Sequence, residues 1–281
     1  MTLKDLLGPI EQINVMDIGA SCIAEMPLYK ILLDEHLAHL NAFEGDSRQI
    51  EKIQATFRDK VTIYNDFLSD GTEKTLYVAS EASGMTSLLK PDLTALKFFN
   101  GFEGFGTIYK TEQIQTKRLD DVPDLHAIDM LKMDIQGSEL SVLSNGLKTL
   151  KDCLAIQLEI SYICLYENQP TFGEIDIWMR RNGFAPHCFV DVKRWSITPT
   201  IRDNNFRVPF NQLLESDIIY IKNPLRLQEL ASLQLKKMAL IAHYCFSSID
   251  LCVHILLELI SRGDLIPDTD QRYLTTLSPE K

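Results

Sequence analysis

The segment from Met130 to Gly146 carries three charged residues, Lys132, Asp134 and Glu139, where a short apolar stretch gives way to a glycine turn. Side chains alternate along a strand, so Lys132 and Asp134 share one face while Leu131, Met133 and Ile135 share the other. A strand inside a parallel sheet is normally apolar on both faces, so such charges need a partner or a task. In open α/β sheets chemistry usually sits at this end of a strand. The alternative is a structural ion pair of Lys132 with Asp134 or Glu139. Two further sets lie upstream. Asp17-x-Gly19-Ala20-Ser21 follows an apolar strand, and small residues there let a ligand approach the backbone closely. Glu44 ends the next strand, 27 positions after Asp17, and can accept hydrogen bonds from the two hydroxyls of a ribose. Downstream, Glu159 ends another strand, and Tyr162 and Tyr166 follow it.

Several chemistries lack their signatures. The dinucleotide pattern Gly-x-Gly-x-x-Gly, the phosphate-binding Gly-x-x-x-x-Gly-Lys-Ser/Thr and the Gly-x-Ser-x-Gly nucleophile elbow are all absent. The six histidines do not cluster as metal ligands, and nothing calls for a metal. The six cysteines show no Cys-x-x-Cys spacing and are expected to be reduced. With no signal peptide read at the N-terminus, the expected location is cytoplasmic. The formal charge of −11 repels phosphate backbones, so a nucleic-acid partner is not expected. Met238 to Ile260 is long enough to span a bilayer, but it contains His243, Asp250, His254 and Glu258. It reads as a pair of buried or interface helices.

The elements that must position these residues follow from periodicity. Strands are expected at Ile13–Ile18, Leu40–Phe43, Val61–Tyr64, Met130–Ile135, Leu154–Ile160, Ala185–Val192 and Asp217–Ile221. Helices are expected from Glu25 to Glu35, from an N-cap at Ser47 to Phe57, after Gly137 to a stop at Asn145-Gly146, and from Phe172 to Asn182. Thr75–Val78 and Gln113–Lys117 read as extra strands, and Phe98–Gly106 as a flexible aromatic loop. Alternating strands and helices with a late antiparallel pair predict an α/β sandwich on a mostly parallel, seven-stranded sheet. With 281 residues, 45% of them hydrophobic, the chain can bury a full core. It divides into a main domain over 1–223 and a C-terminal helical extension over 224–281, beginning after Asn223-Pro224. That extension could pack on the core or form a homodimer.

These motifs together resemble the FkbM family of S-adenosylmethionine-dependent methyltransferases, over roughly residues 13 to 192. Val15-Met-Asp-Ile-Gly-Ala20 is similar to the family's nucleoside-binding turn. Phe43-Glu-Gly-Asp46 is similar to its Phe-Glu-Pro segment, with Gly45 in place of proline. Leu68-Ser-Asp-Gly71, Gly84-Met-Thr-Ser-Leu88 and Thr116-Lys-Arg-Leu-Asp120 follow in the family's order. The most specific element is Leu131-Lys-Met-Asp-Ile-Gln-Gly-Ser-Glu-Leu140, with Gln136 where the family has glutamate. The family's second glycine after Gly-Ala is missing here. That leaves a narrower approach for the methionine end of the cofactor, a reshaped turn, or lost activity.

The resemblance implies a Rossmann-like methyltransferase that takes S-adenosylmethionine. Asp17, Gly19, Ala20 and Ser21 would line its methionine and ribose side, Glu44 would bind the ribose hydroxyls, and Asp66 and Phe67 would meet the adenine. Asp134 would face the acceptor, with Lys132 and Glu139 holding it. The implied acceptor is a hydroxyl on a sugar, glycolipid or other small molecule such as a secondary metabolite. A non-catalytic binding or scaffold protein on the same fold is the alternative, motivated by the altered turn and the helical tail.

Overall fold

The structure is a computed structural model that describes residues 1–20, 26–45, 47–80 and 83–277. In chain order its helices and strands are α1 (Leu3–Leu7), β1 (Ile13–Ile18), α2 (Lys30–Asp34), β2 (Ala38–Phe43), α3 (Ser47–Phe57), β3 (Val61–Tyr64) and β4 (Glu73–Ala79). There follow α4 (Leu93–Phe98), α5 (Phe102–Phe105), β5 (Ile108–Gln115), β6 (Met130–Met133), α6 (Glu139–Ser144), β7 (Ala155–Ser161) and α7 (Phe172–Arg181). The chain closes with β8 (Phe184–Arg194), β9 (Leu213–Lys222), α8 (Ser232–Tyr244), α9 (Ile249–Ser261) and α10 (Thr269–Leu277).

Seven strands form one sheet in the order β3-β2-β1-β6-β7-β9-β8. The first five run parallel, and β9 pairs antiparallel with both β7 and β8. This is the expected mostly parallel sheet with a late antiparallel pair. The chain winds outward from β1 to β3, then returns to lay β6 on the other side of β1. The strand order therefore reverses between β1 and β6. In open α/β sheets the ligand crevice lies outside the carboxyl ends of the strands at such a reversal.

Each face of the sheet is buried by a different set of helices. Val15, Leu40, Met130, Ala155 and Ile219 face one way and share a core with Leu7, Leu235, Met238, Leu256 and Tyr273. So α1 and α8 to α10 build one layer with β1 and β2. Met16, Phe43, Leu131, Ile156 and Ile218 face the other way, against Val142 and Leu143 of α6 and Ile175 and Met179 of α7. The run Met238–Ile260 is thus two helices joined at residues 245–248. Among the described residues no helix is long and apolar enough to cross a membrane.

Some expected elements differ. The helix expected over Glu25–Glu35 begins only at Lys30; Pro27 holds Met26 out of helical geometry, and residues 21–25 lie outside the described residues. The strands β4 and β5 are longer than expected and pair with each other in a separate ribbon, which Tyr77 of β4 extends by a bridge to Ser87. The aromatic stretch Phe98–Gly106 is not a flexible loop. It holds α5 and packs Phe99 and Phe102 into a third core with Leu165 and Leu214. Trp195 meets Phe102 edge-on, with ring centroids 5.1 Å apart, and donates its indole N–H to the Asn100 carbonyl at 2.8 Å. Apolar residues without a helical or strand period pack here through tertiary contacts, which periodicity does not reveal.

One buried ion pair ties the C-terminal layer to the sheet. Lys237 of α8 donates to Asp129 Oδ2 at 2.8 Å, and the same oxygen accepts from the Asn14 backbone N–H at 2.8 Å. Both side chains are largely buried. Removing one partner of such a pair leaves an uncompensated charge. Asp129→Ala is expected to cost about 3–5 kcal/mol of unfolding free energy in urea titration. A loss under about 1 kcal/mol would mean that the pair does not anchor α8.

Candidate active site

The turn after β1 starts with Gly19, which has φ +76 and donates to the Phe43 carbonyl at 3.0 Å. A Cβ on Gly19 would lie 2.1 Å from the backbone oxygen of Asp134. The glycine is therefore required twice, by its left-handed backbone and by the close pass of the chain leaving β6. Ala20 is buried behind it. Ser21 lies outside the described residues.

Beneath the turn, Asp17 is buried and fully engaged. Tyr29 donates its hydroxyl to Asp17 Oδ2 at 2.6 Å, and Lys132 reaches Oδ1 at 3.4 Å. Lys132 was expected to pair with Asp134 or Glu139. It pairs with Asp17 because Asp17 and Lys132 are register partners on adjacent parallel strands. Burial alone would lower the Lys132 pKa. The carboxylates of Asp17, Asp134 and Asp217 outweigh it and hold the ammonium above its ordinary range.

Glu44 follows β2 and donates its backbone N–H to the Tyr64 carbonyl at 3.1 Å, with its side chain partly exposed at the sheet edge. The adjacent Gly45 leaves room for the ring of Phe67, whose atoms lie 2.1–2.5 Å from where a Cβ would sit. Any side chain at position 45 would displace that ring. Phe67 is thus held next to Glu44. Its neighbour Asp66 instead makes an ion pair with Lys117 at 2.8 Å.

The chain leaving β6 is the centre of the polar network. The Asp134 backbone N–H donates to the Ile18 carbonyl at 3.1 Å. Gln136 donates from Nε2 to Asp134 Oδ1 at 2.9 Å and to Glu159 Oε1 at 3.0 Å. Its Oε1 accepts from the Tyr166 hydroxyl at 2.9 Å. Glu139 is buried and accepts, at Oε1, the backbone N–H groups of Ile135 and Gly137 at 3.1 and 3.2 Å. It holds the turn after Asp134 rather than touching Asp134 itself.

Further charged groups flank Glu159. Lys193 lies 3.7 Å from Glu159 Oε2 and 2.8 Å from Glu215. Asp217 is the register partner of Glu159 and accepts from Gln157 at 2.6 Å. Burial, then the charges of Asp134 and Glu215, push Glu159 well above the ordinary carboxyl range, with Lys193 opposing. Burial likewise raises Glu215 and Asp217. Sequence reasoning missed Tyr29, Lys193, Glu215 and Asp217. Two acids in the otherwise apolar run of β9 were the available signal. His187 bonds Ser248 at 2.9 Å and packs on Phe246, apart from this network. Two residues along the strands from Lys193 and Glu215, a cavity of about 560 Å³ opens between Tyr162, Trp195, Ile197, Phe210, Gln212 and Leu213.

The arrangement brings Gly19, Glu44 and Asp134 to one edge of the sheet, over a floor of Asp17, Tyr29 and Lys132. Oδ1 of Asp134 is held, while Oδ2 has no partner among the described residues. Such a carboxylate can orient a hydroxyl and accept its proton. Small residues and a partly exposed carboxylate beside it suit a nucleoside diol. Among the described residues no group of three or more His, Cys, Asp or Glu is placed to hold a metal ion.

Glu139 offers a check on this geometry. Burial raises its pKa to about 7, against the two N–H groups that favour its charge. The unfolded chain releases that proton near the ordinary glutamate value of 4.5, so the fold binds an extra proton between about pH 4.5 and about pH 7. That contribution is full below this window and lost as pH rises through it. Glu139→Gln has no such proton to lose. The thermal midpoint of the natural protein should fall relative to Glu139→Gln between pH 5 and pH 8; parallel curves would contradict the buried placement.

Solved structures similar to the chain include a putative methyltransferase from Thermoplasma acidophilum (10% identity, 78% of this chain and 71% of that chain, TM-score 0.38). Another is magnesium protoporphyrin IX methyltransferase from Synechocystis with bound SAM (9% identity, 75% and 71%, TM-score 0.36). A third, an uncharacterized protein from Listeria monocytogenes, aligns over 98% of this chain and 93% of its own (11% identity, TM-score 0.37). These likenesses are too distant to assign an activity. No curated protein matches the chain. The Methyltransferase FkbM domain matches residues 42–186, from the end of β2 into β8, leaving β1 and its turn outside the match. That match takes in just over half of the chain and includes Glu44, Asp134 and Glu159, so the protein belongs to the FkbM methyltransferase family.

Proposed function

We propose that the protein is an S-adenosylmethionine-dependent O-methyltransferase whose acceptor is a hydroxyl on a sugar, glycolipid or secondary metabolite. The observation that carries this reading is the convergence of Gly19, Glu44 and Asp134 where the strand order reverses, with one Asp134 oxygen left to meet a substrate. When bound, S-adenosylmethionine supplies a methyl group already activated on a sulfonium. The residues of the chain then have to align and exclude rather than generate an electrophile. Glu44 accepts from the two ribose hydroxyls, and Phe67 presents its ring beside it for the adenine. Gly19 and Ala20 keep the turn low enough for the methionine end to pass. Ser21 lies outside the described residues and keeps its expected role beside the cofactor as part of this proposal.

Asp134 Oδ2 accepts the proton of the acceptor hydroxyl as the oxygen attacks, so the proton leaves the oxygen and resides on the carboxyl. Asp17, Tyr29 and Lys132 act through position. They form a closed hydrogen-bonded floor that keeps β1 and β6 in register beneath the reacting atoms. The cavity beside Tyr162 and Trp195 is the place for the body of the acceptor, because apolar rings and a few amide groups line it on the same end of the sheet.

Asp134→Asn keeps the size and the Gln136 contact but cannot take a proton. Turnover of S-adenosylmethionine to S-adenosylhomocysteine in the presence of acceptor is expected to fall by about 10²–10⁴-fold, with calorimetric affinity for S-adenosylhomocysteine kept. Near-normal turnover would remove Asp134 from the chemistry. A folded protein that gives no heat with either ligand would favour a binding or scaffold role on the methyltransferase fold.

A further inference from the structure

Gln136 lies in the turn after β6, and the network depends on it being an amide. Its backbone is left-handed, with φ +56, a conformation that non-glycine residues adopt only at a cost. Both ends of the residue are tied down. The Ser87 hydroxyl donates to its backbone carbonyl at 2.7 Å, and Ser87 is itself buried. At the other end the amide makes three bonds. Its two N–H groups go separately to Asp134 and Glu159, and its oxygen takes the Tyr166 hydroxyl. Tyr166 is buried and also reaches the Met85 carbonyl at 3.4 Å. The side chain amide thus has all of its strong hydrogen-bonding groups occupied at one time.

A glutamate cannot make this arrangement. Its carboxylate would bring a third negative charge between two acids and offer no donor to either. The amide supplies two donors without charge. It therefore lets Asp134 and Glu159 sit on either side of one nitrogen, where like charges would otherwise push them apart.

We propose that Gln136 is the positioning residue of this site: it locks Asp134 and Glu159 into one rigid unit and leaves Asp134 Oδ2 as the oxygen presented to the acceptor. Its importance for methyl transfer rests on the reading of Asp134 as the proton acceptor. The remaining groups around the pair come from every neighbouring element. Lys132 lies on β6, Glu139 on α6, Tyr166 after β7, Lys193 on β8, and Glu215 and Asp217 on β9. Two ammoniums stand among these acids, and neither bridges Asp134 to Glu159. That bridge is made by the amide alone among the described residues.

A hydrogen bond donated to a carboxylate favours its charged form, so losing the amide donor should make Glu159 hold its proton to higher pH. The test is a carboxyl-carbon NMR titration of the full-length ¹³C-labelled protein from pH 4 to pH 9. The Glu159 signal is assigned by its disappearance in Glu159→Gln. In Gln136→Met, which keeps the length without the donors, the Glu159 curve is expected to move up by about one pH unit or more. Gln136→Glu should move it in the same direction, and serves if the methionine variant does not fold. A Glu159 curve that superimposes on that of the natural protein would overturn the role of Gln136 while leaving Asp134 untouched. Unimpaired turnover in Asp134→Asn would instead remove the reading of Asp134, whatever the titration gives.

Discussion

The close pass between the turn after β1 and the chain leaving β6 governs the site. Gly19 lies so near the Asp134 carbonyl that a single added carbon would sit 2.1 Å from it. The backbone of Asp134 is fixed from the same side by its bond to Ile18. Because the strand order reverses between these two strands, this contact also sets the floor of the crevice. Asp17 and Lys132 lie one step below it as register partners, and Tyr29 closes the third side. A nucleoside laid over the turn and an acceptor reaching Asp134 would then be separated by little more than the width of this contact.

The second constraint is electrostatic. Asp134, Glu159, Glu215 and Asp217 gather at the carboxyl end of β6 and β7 and the start of β9, and among the described residues Lys132 and Lys193 stand against them. Such a cluster cannot be fully ionised at low cost in a buried setting. Burial and mutual repulsion raise Glu159, Glu215 and Asp217. The neutral donors of Gln136 and Gln157 fit that condition, since each satisfies a carboxylate without adding charge.

The fold was largely legible from the sequence. The apolar strands at Ile13–Ile18, Leu40–Phe43, Val61–Tyr64, Met130–Ile135 and Leu154–Ile160 predict the parallel sheet, and β3 and β7 lie where the pattern puts them to within a residue or so. The expected corner residues Asp17, Gly19, Glu44 and Asp134 do stand at one end of the sheet, because strand ends and turns have local signatures. What stayed hidden depends on distant pairing. Lys132 was given the wrong partner because the register between β1 and β6 joins residues 115 positions apart. Glu215 and Asp217 reach the site only because β9 runs antiparallel beside β7. The aromatic segment Phe98–Gly106 looked loose because its packing comes from Trp195, far along the chain. Pro27 was a local signal for the late start of α2. Gly45 was visible as a departure, and the ring of Phe67 supplies its reason.

The measurement that bears most directly on this account is a crystal structure of the full-length protein with S-adenosylhomocysteine. The account predicts both ribose hydroxyls within about 2.6–3.2 Å of the Glu44 carboxylate and the sulfur on the Asp134 side of the Gly19 turn. A ligand ordered elsewhere, or one bound with Glu44 out of contact, would contradict it.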